Sequence, residues 1–489
     1  MKRSSPCIYS RSLNESLRKL AMIASLFAIS AFGVDAFGQR SIANDWDAQV
    51  SQYGREATVL YANNGGVYLV IHEGRETTNP PTGKLVVSFA LTGLPPQVSP
   101  TFSEVYRNTV LDPSKERQRL VRIAAVMAEG YSNRAADMLH VAVITEEHAP
   151  PTATSFGEAI EHAVYLLSFN RGLAAPPRVR KLMGSFGTGV FPGKAALAIG
   201  LVPKRFRNNM ATDYDVVVVA GSNKQLDARV STMVNAGLPG ENEIVAVKSL
   251  GAPPDRLAVH TSRNLGMTWV TAFSDLGAGP DGLSLFYTHN GPQCAAWSCT
   301  PGYHRYTLPI PNPVPPDYEL GLELAAADLD ELTNSLFIIG RDWNQENWVT
   351  LKVPLGAANM TPISNAAPLG SSCFFPPWIR VVEEEFFTAC VATVETPPPL
   401  GGISFNVFQT KWRFNAPSLF DQDRADLNLP GQPVLSVPPM YTPTATPTPS
   451  IAIDRTPGRS PGPTIVWGRA DFLNDPSFPR DKIFLEPGR

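Results

Sequence analysis

The sequence predicts an all-β fold built from many short strands, and three observations carry that prediction. Apolar runs of strand length, several of them alternating with polar residues, recur from Ala57 to Gln409. Turn formers are abundant, with 46 Pro and 37 Gly in 489 residues, while only 17% of the residues are charged. That balance suits short strands joined by turns better than long helices. A polar turn set between two such runs also returns along the chain at matching offsets, the mark of a repeated supersecondary unit.

In chain order the expected strands are Ala57 to Tyr61, Val67 to Ile71, Leu85 to Leu91, Val121 to Ala128, Leu139 to Thr145, Ala163 to Phe169, Ala195 to Leu201 and Val216 to Ala220. They continue with Ile244 to Val247, Leu283 to Tyr287, Leu336 to Ile339, Trp348 to Val353, Ile379 to Val382, Phe386 to Val394 and Ile403 to Gln409. Few helical patterns compete with them.

The clearest local pattern is Ser262-Arg263-Asn264-Leu265-Gly266-Met267-Thr268-Trp269. Leu257 to His260 alternates as a half-buried strand does, Trp269 to Phe273 does so again, and the segment between them is short and polar, which predicts a hairpin. The Asn264 side chain is expected to accept hydrogen bonds from amides of the turn, Gly266 to take a positive φ, and Trp269 to bury its ring at the start of the returning strand.

This block resembles the Asp-box, or BNR repeat, of sialidases and related β-propellers, whose pattern is Ser-x-Asp-x-Gly-x-Thr-Trp. Ser262, Gly266, Thr268 and Trp269 match it, and Asn264 stands where Asp is usual. The resemblance implies a β-propeller of four-stranded blades. Sharing residues 50 to 415 among blades of about 50 to 60 residues gives six or seven blades. On that expectation the hairpin joins the outer strands of a blade, far from any ligand face.

Three further windows fit the hairpin shape without the box. DVVVVAGSNKQLDARV from Asp215 aligns without a gap on DRLAVHTSRNLGMTWV from Asp255, and NSLFIIGRDWNQENWV from Asn334 puts Trp348 on the position of Trp269. The window from Asp281 begins as DGLSLFYTHN and then drifts, with Trp297 arriving two residues late.

The N-terminus predicts export. Lys2, Arg3, Arg11, Arg18 and Lys19 form a positive region, Leu20 to Val34 is an apolar run short for a membrane span, and Val34-Asp35-Ala36 or Ala36-Phe37-Gly38 offers a cleavage site. An uncleaved anchor is the alternative. The expected location is periplasmic or extracellular, with no membrane span after cleavage.

Beyond Cys7 the cysteines are Cys294, Cys299, Cys373 and Cys390, an even number that suits an oxidising compartment. The favoured pairing is Cys294 with Cys299 and Cys373 with Cys390. A zinc site using His289 and His304 is the alternative, although the intervals follow no familiar pattern.

The expected organisation is a signal peptide at 1–38, the β-propeller at 39–430, a Pro/Thr-rich linker at 431–463 and a C-terminal segment at 464–489. Fixed φ and missing amides in Tyr441-Thr-Pro-Thr-Ala-Thr-Pro-Thr-Pro-Ser450 favour an extended linker. Thr464 to Phe472 is expected either to add a closing strand or to lie disordered.

Chemistry is sparse. The resemblance to sialidases implies three arginines for a carboxylate, a tyrosine and glutamate pair, and an aspartate acid, but the early Arg-Ile-Pro motif is missing. Nothing in the sequence assigns Arg122, Arg178, Arg180, Arg263, Arg305, Arg341 or Arg380 to such a set. Glu383 to Glu385 reads as a solvated hairpin tip. Asp421, Asp423 and Asp426 have the flavour of a calcium loop without its glycine or distal glutamate, and Asp328 with Asp330 is a second weak calcium candidate. His72, His140, His162 and His260 are expected to be packed or hydrogen-bonded. Gly184 to Gly189 is not placed as a nucleotide loop requires, and no cofactor or metal is expected.

The formal charge of −3 argues against generic nucleic-acid binding. The expectation is an exported propeller that binds a glycan or protein partner through loops on one face, with no assignable catalytic residues. The alternative is a sialidase-like glycoside hydrolase or lyase with carboxylates at the mouth of the central channel.

Overall fold

The computed structural model of the chain contains strands and turns, with no helix among the described residues. Those residues are the strands named below and short segments at 62, 102, 111–112, 175–177, 235–238, 240–241, 254, 263–266, 331–334 and 355. The expected signal at 1–38, the tract from 441 to 449, and Cys294, Cys299 and Cys373 lie outside them.

Among the described residues the strands form seven antiparallel sheets. After β1 (Arg40–Ser41), the first sheet is β2 (Gly54–Tyr61), β3 (Gly66–Arg75), β4 (Thr82–Leu91) and β5 (Ser103–Asn108). The second is β6 (Gln118–Ala128), β7 (Met138–His148), β8 (Ala159–Asn170) and β9 (Arg178–Met183). The third is β10 (Ala195–Arg207), β11 (Met210–Ser222), β12 (Leu226–Val234) and β13 (Asn242–Ser249). The fourth is β14 (Arg256–Ser262), β15 (Met267–Phe273), β16 (Leu283–His289) and β17 (His304–Tyr306). The fifth is β18 (Leu320–Asp330), β19 (Ser335–Asp342), β20 (Asn347–Pro354) and β21 (Ile363–Pro368). The sixth is β22 (Trp378–Val382), β23 (Glu385–Thr396), β24 (Gly402–Arg413) and β25 (Asp421–Asp426), with β26 (Leu435–Val437) also paired to β24. The seventh comprises β27 (Ser450–Asp454), β28 (Gly462–Asp471) and β29 (Arg480–Pro487), and β1 pairs with β29 at its edge.

First strands lie side by side. β2 touches β6, β6 touches β10, and the series continues through β14, β18, β22 and β27, which touches β2. The sheets pack face to face behind them. Val216, Val218 and Ala220 of β11 enter the core shared with the second sheet, while Val217 and Val219 enter the core shared with the fourth. Alternate side chains of a strand point to opposite faces, so a strand covered on both faces becomes continuously apolar, which is why Asp215 is followed by four valines. β7 repeats the arrangement, with Val141 and Val143 facing the first sheet and Ala142 and Ile144 the third. Each such valine or isoleucine side chain contributes about 1.5–3 kcal/mol on burial, so packing between sheets holds the fold. At Gly200 on β10 the approach is close enough that a Cβ would lie 2.2 Å from the Val259 Cγ1 atom of β14.

Several expectations need correction. The hairpin at Ser262 joins the first and second strands of its sheet, not an outer pair, and its first strand lies against β10 and β18. The window from Asp215 spans β11 and β12 and that from Asn334 reaches β19 and β20, both second-to-third hairpins. The alignment therefore matched hairpins at unlike places, because any antiparallel hairpin shares this alternation. What recurs is the four-stranded sheet.

Asp421–Asp426 is extended backbone, paired with β24 from Phe408↔Asp426 to Arg413↔Asp421, and not a loop folded around an ion. β26 and β27 fall within the stretch expected to be linker, and β28 with β29 gives the C-terminal segment strand structure. Cys390 lies on β23 opposite Phe408.

Candidate functional site

The Asp-box residues act as mechanical ties. The buried Ser262 hydroxyl accepts the Leu265 amide at 3.2 Å and donates to Asn334 Oδ1 at 3.2 Å. Gly266 takes φ 65°, as the turn requires. Thr268 and Thr261 both donate to the Leu201 carbonyl of β10, at 2.8 and 2.7 Å. Trp269 is fully buried, with its ring centroid 5.3 Å from that of Tyr287, in the core between the fourth and fifth sheets. The role expected for Asn264 differs: its amide donates to the Glu331 carbonyl at 2.9 Å, while Ser262 serves the turn amide. These contacts bind the fourth sheet to both neighbours.

The other predicted residues are largely structural too. His72, His140, His162 and His260 are buried on β3, β7, β8 and β14. Asp330 caps the β18–β19 turn by accepting from the Leu332 amide and the Thr333 hydroxyl. Val382 pairs with Glu385 around the acidic tip, and residues 383 and 384 lie outside the described residues. Arg178 and Arg180 are on β9, where Arg178 donates to the Leu238 carbonyl and Arg180 pairs with Glu241.

Three arginines of interest lie on first strands. Arg122 lies on β6, Arg256 opens β14 and Arg380 is central in β22, so alternate sheets supply the three guanidinium groups. Burial, and then the charges of Arg122 and Arg380, pull the Arg256 guanidinium down to about 9. The strands that carry them lie in one series, with β10 between β6 and β14 and β18 between β14 and β22. Arg256 was missed by the sequence reading. As the first residue of a hairpin strand it looks like an ordinary flanking charge, and no spacing marks it.

Asp328 sits beside this cluster on β18 and spans three sheets. Its Oδ1 is 3.8 Å from His260 Nδ1 on β14 and 3.8 Å from the Arg380 guanidinium on β22, while Oδ2 accepts the Val381 amide at 2.8 Å. Burial alone pushes this carboxyl up, but Arg380, His260 and the Val381 amide outweigh it and hold the group below the usual range. His260 also places Nε2 3.3 Å from the Thr271 hydroxyl. Protein donors thus occupy Asp328 and Asp330, the weak calcium candidates. The arrangement suits recognition of an anion, since guanidinium groups offer a planar fork to carboxylate, sulfate or phosphate oxygens.

No family model and no curated protein matches the chain. Among solved structures it is similar to the BP39L lectin from Burkholderia pseudomallei, at 13% identity and TM-score 0.38 over 85% of this chain and 96% of that one. It is also similar to NanB solved with Optactamide, at 10% identity and TM-score 0.40 over 94% and 72% of the two chains. A third similar structure is the acylaminoacyl peptidase of Pyrococcus horikoshii, at 6% identity and TM-score 0.32 over 84% of this chain and 58% of that one.

Proposed function

We propose that the protein is an exported seven-bladed β-propeller that binds an anionic group of a glycan or protein partner beside the ring axis, without catalysing a reaction. The cyclic contacts of the first strands support the ring, and the pairing of β1 with β29 supports closure by both ends of the chain. The observation that carries the function is that Arg122, Arg256 and Arg380 lie on the first strands of alternate sheets in one side-by-side series, where the charges of Arg122 and Arg380 help to lower the Arg256 guanidinium. An anion bound among these cations would offset their mutual repulsion. Loops at that end of the ring would then add contacts to the rest of the partner.

A second reading is a sialidase-like glycoside hydrolase or lyase. The same three arginines favour it, because the Asp-box resemblance implies such a set for a carboxylate. It also requires a nucleophile and an acid. Asp328, the carboxylate beside Arg380, is already engaged by Val381, His260 and Arg380.

The test is thermal unfolding of the mature protein with inorganic phosphate, glucuronate, a sulfated oligosaccharide or glucose. At least one anion should raise Tm in a saturable way while glucose does not, and Arg256→Gln should remove the anion response. Equal responses to glucose and the anions, or an unchanged response in Arg256→Gln, would exclude the cluster as the binding site. Turnover of sialoside or uronide substrates that disappears in Asp328→Asn would favour the hydrolase. Export is supported by the N-terminal charge and apolar run, and cell fractionation tests it.

A further inference from the structure

We infer that Asp328 is a positioning residue that orients the Arg380 guanidinium for anion capture, an inference that rests on the binding reading above. Asp328 is fixed from two sides. Its Oδ2 accepts the Val381 amide at 2.8 Å, which ties the carboxylate to the backbone of the strand that carries Arg380. Its Oδ1 faces His260 Nδ1 at 3.8 Å and Arg380 at 3.8 Å. Arg380 has a second anchor, donating to the Ile379 carbonyl at 3.1 Å. A long arginine side chain with such partners loses less rotamer freedom when it meets a ligand than one extended into solvent.

Positioning and simple charge predict opposite signs. A carboxylate beside a cationic site repels an incoming anion, so by Coulomb's law alone its neutralisation should tighten binding. If Asp328 instead holds Arg380 in its binding orientation, neutralisation should weaken binding.

The experiment is a double-mutant cycle of Asp328→Asn and Arg380→Gln in the full chain, read by calorimetric titration with inorganic phosphate, with Arg256→Gln as a separate arm. Asp328→Ala is run beside Asp328→Asn in case that variant folds poorly, and the ligand-free Tm of each variant reports folding. The expected result is that Asp328→Asn weakens phosphate binding by about tenfold and has no further effect once Arg380 is Gln. Unchanged or tighter binding in a folded Asp328 variant overturns the positioning role, as does an equal loss in the Arg380→Gln background. If Arg256→Gln leaves phosphate binding intact, the arginine cluster is not the site, and the positioning role falls with it. Loss in Arg256→Gln with normal binding in the Asp328 variants overturns the positioning role alone.

Discussion

The Asn264 side-chain amide donates to the Glu331 carbonyl at 2.9 Å, tying the first turn of the fourth sheet to the first turn of the fifth. Arg263 Nε lies 3.4 Å from Glu331 Oε1, and Ser262 reaches Asn334 in the same turn. An aspartate at 264, the usual Asp-box residue, has no N–H to give and would place a carboxylate against that carbonyl.

Asn264→Asp should therefore destabilise the protein by about 1–2 kcal/mol rather than improve it. Asn264→Ala should cost a similar amount, and neither should selectively abolish anion binding. Urea denaturation and the phosphate titration measure both effects. A stabilising Asn264→Asp change would mean that the contact to Glu331 contributes nothing.

Trp269→Ala should cost about 3–5 kcal/mol, because a fully buried ring packed on Tyr287 is removed between two sheets. A loss of only a few tenths in equilibrium unfolding would show that the ring is not buried.

Gly200→Ala should destabilise by about 1–3 kcal/mol, since the added methyl would lie 2.2 Å from Val259 Cγ1. Val259→Ala in the same chain should recover part of that loss. Additive single-mutant costs would argue against close contact between β10 and β14.

Burial holds the His140 imidazole at about 4, below its usual 6.5, with Nδ1 2.9 Å from the Ser168 hydroxyl. The unfolded chain takes up this proton first, so the contribution to stability is fully present above about pH 6.5 and is lost as pH falls toward 4. The loss is about 3 kcal/mol. His140→Gln should flatten that part of the stability profile, and urea midpoints measured across the interval check it. An unchanged slope in the variant would assign the pH dependence to other groups.

If Cys294 pairs with Cys299 and Cys373 with Cys390, peptide mapping of exported protein without reductant should find two intramolecular links and no free thiol. Recovery of two free thiols would end that assignment.

Strand content was legible in the sequence because strands covered on both faces become unbroken apolar runs, as at Val216–Ala220, and because Ser262, Gly266 and Trp269 perform local tasks whose chemistry shows in the residue types. Strands that are short, polar or set at sheet edges, such as Ser103–Asn108, Arg178–Met183 and Asp421–Asp426, were missed for lack of that signal. The place of each hairpin within its sheet, the partner of Asn264 and the setting of Arg122, Arg256 and Arg380 on first strands of alternate sheets were decided only in three dimensions. Those residues are separated by more than a whole sheet of sequence, and the side-by-side series of first strands sets the places of the three arginines. Local periodicity records which side chains a strand buries, but it carries no record of which distant strand lies beside it.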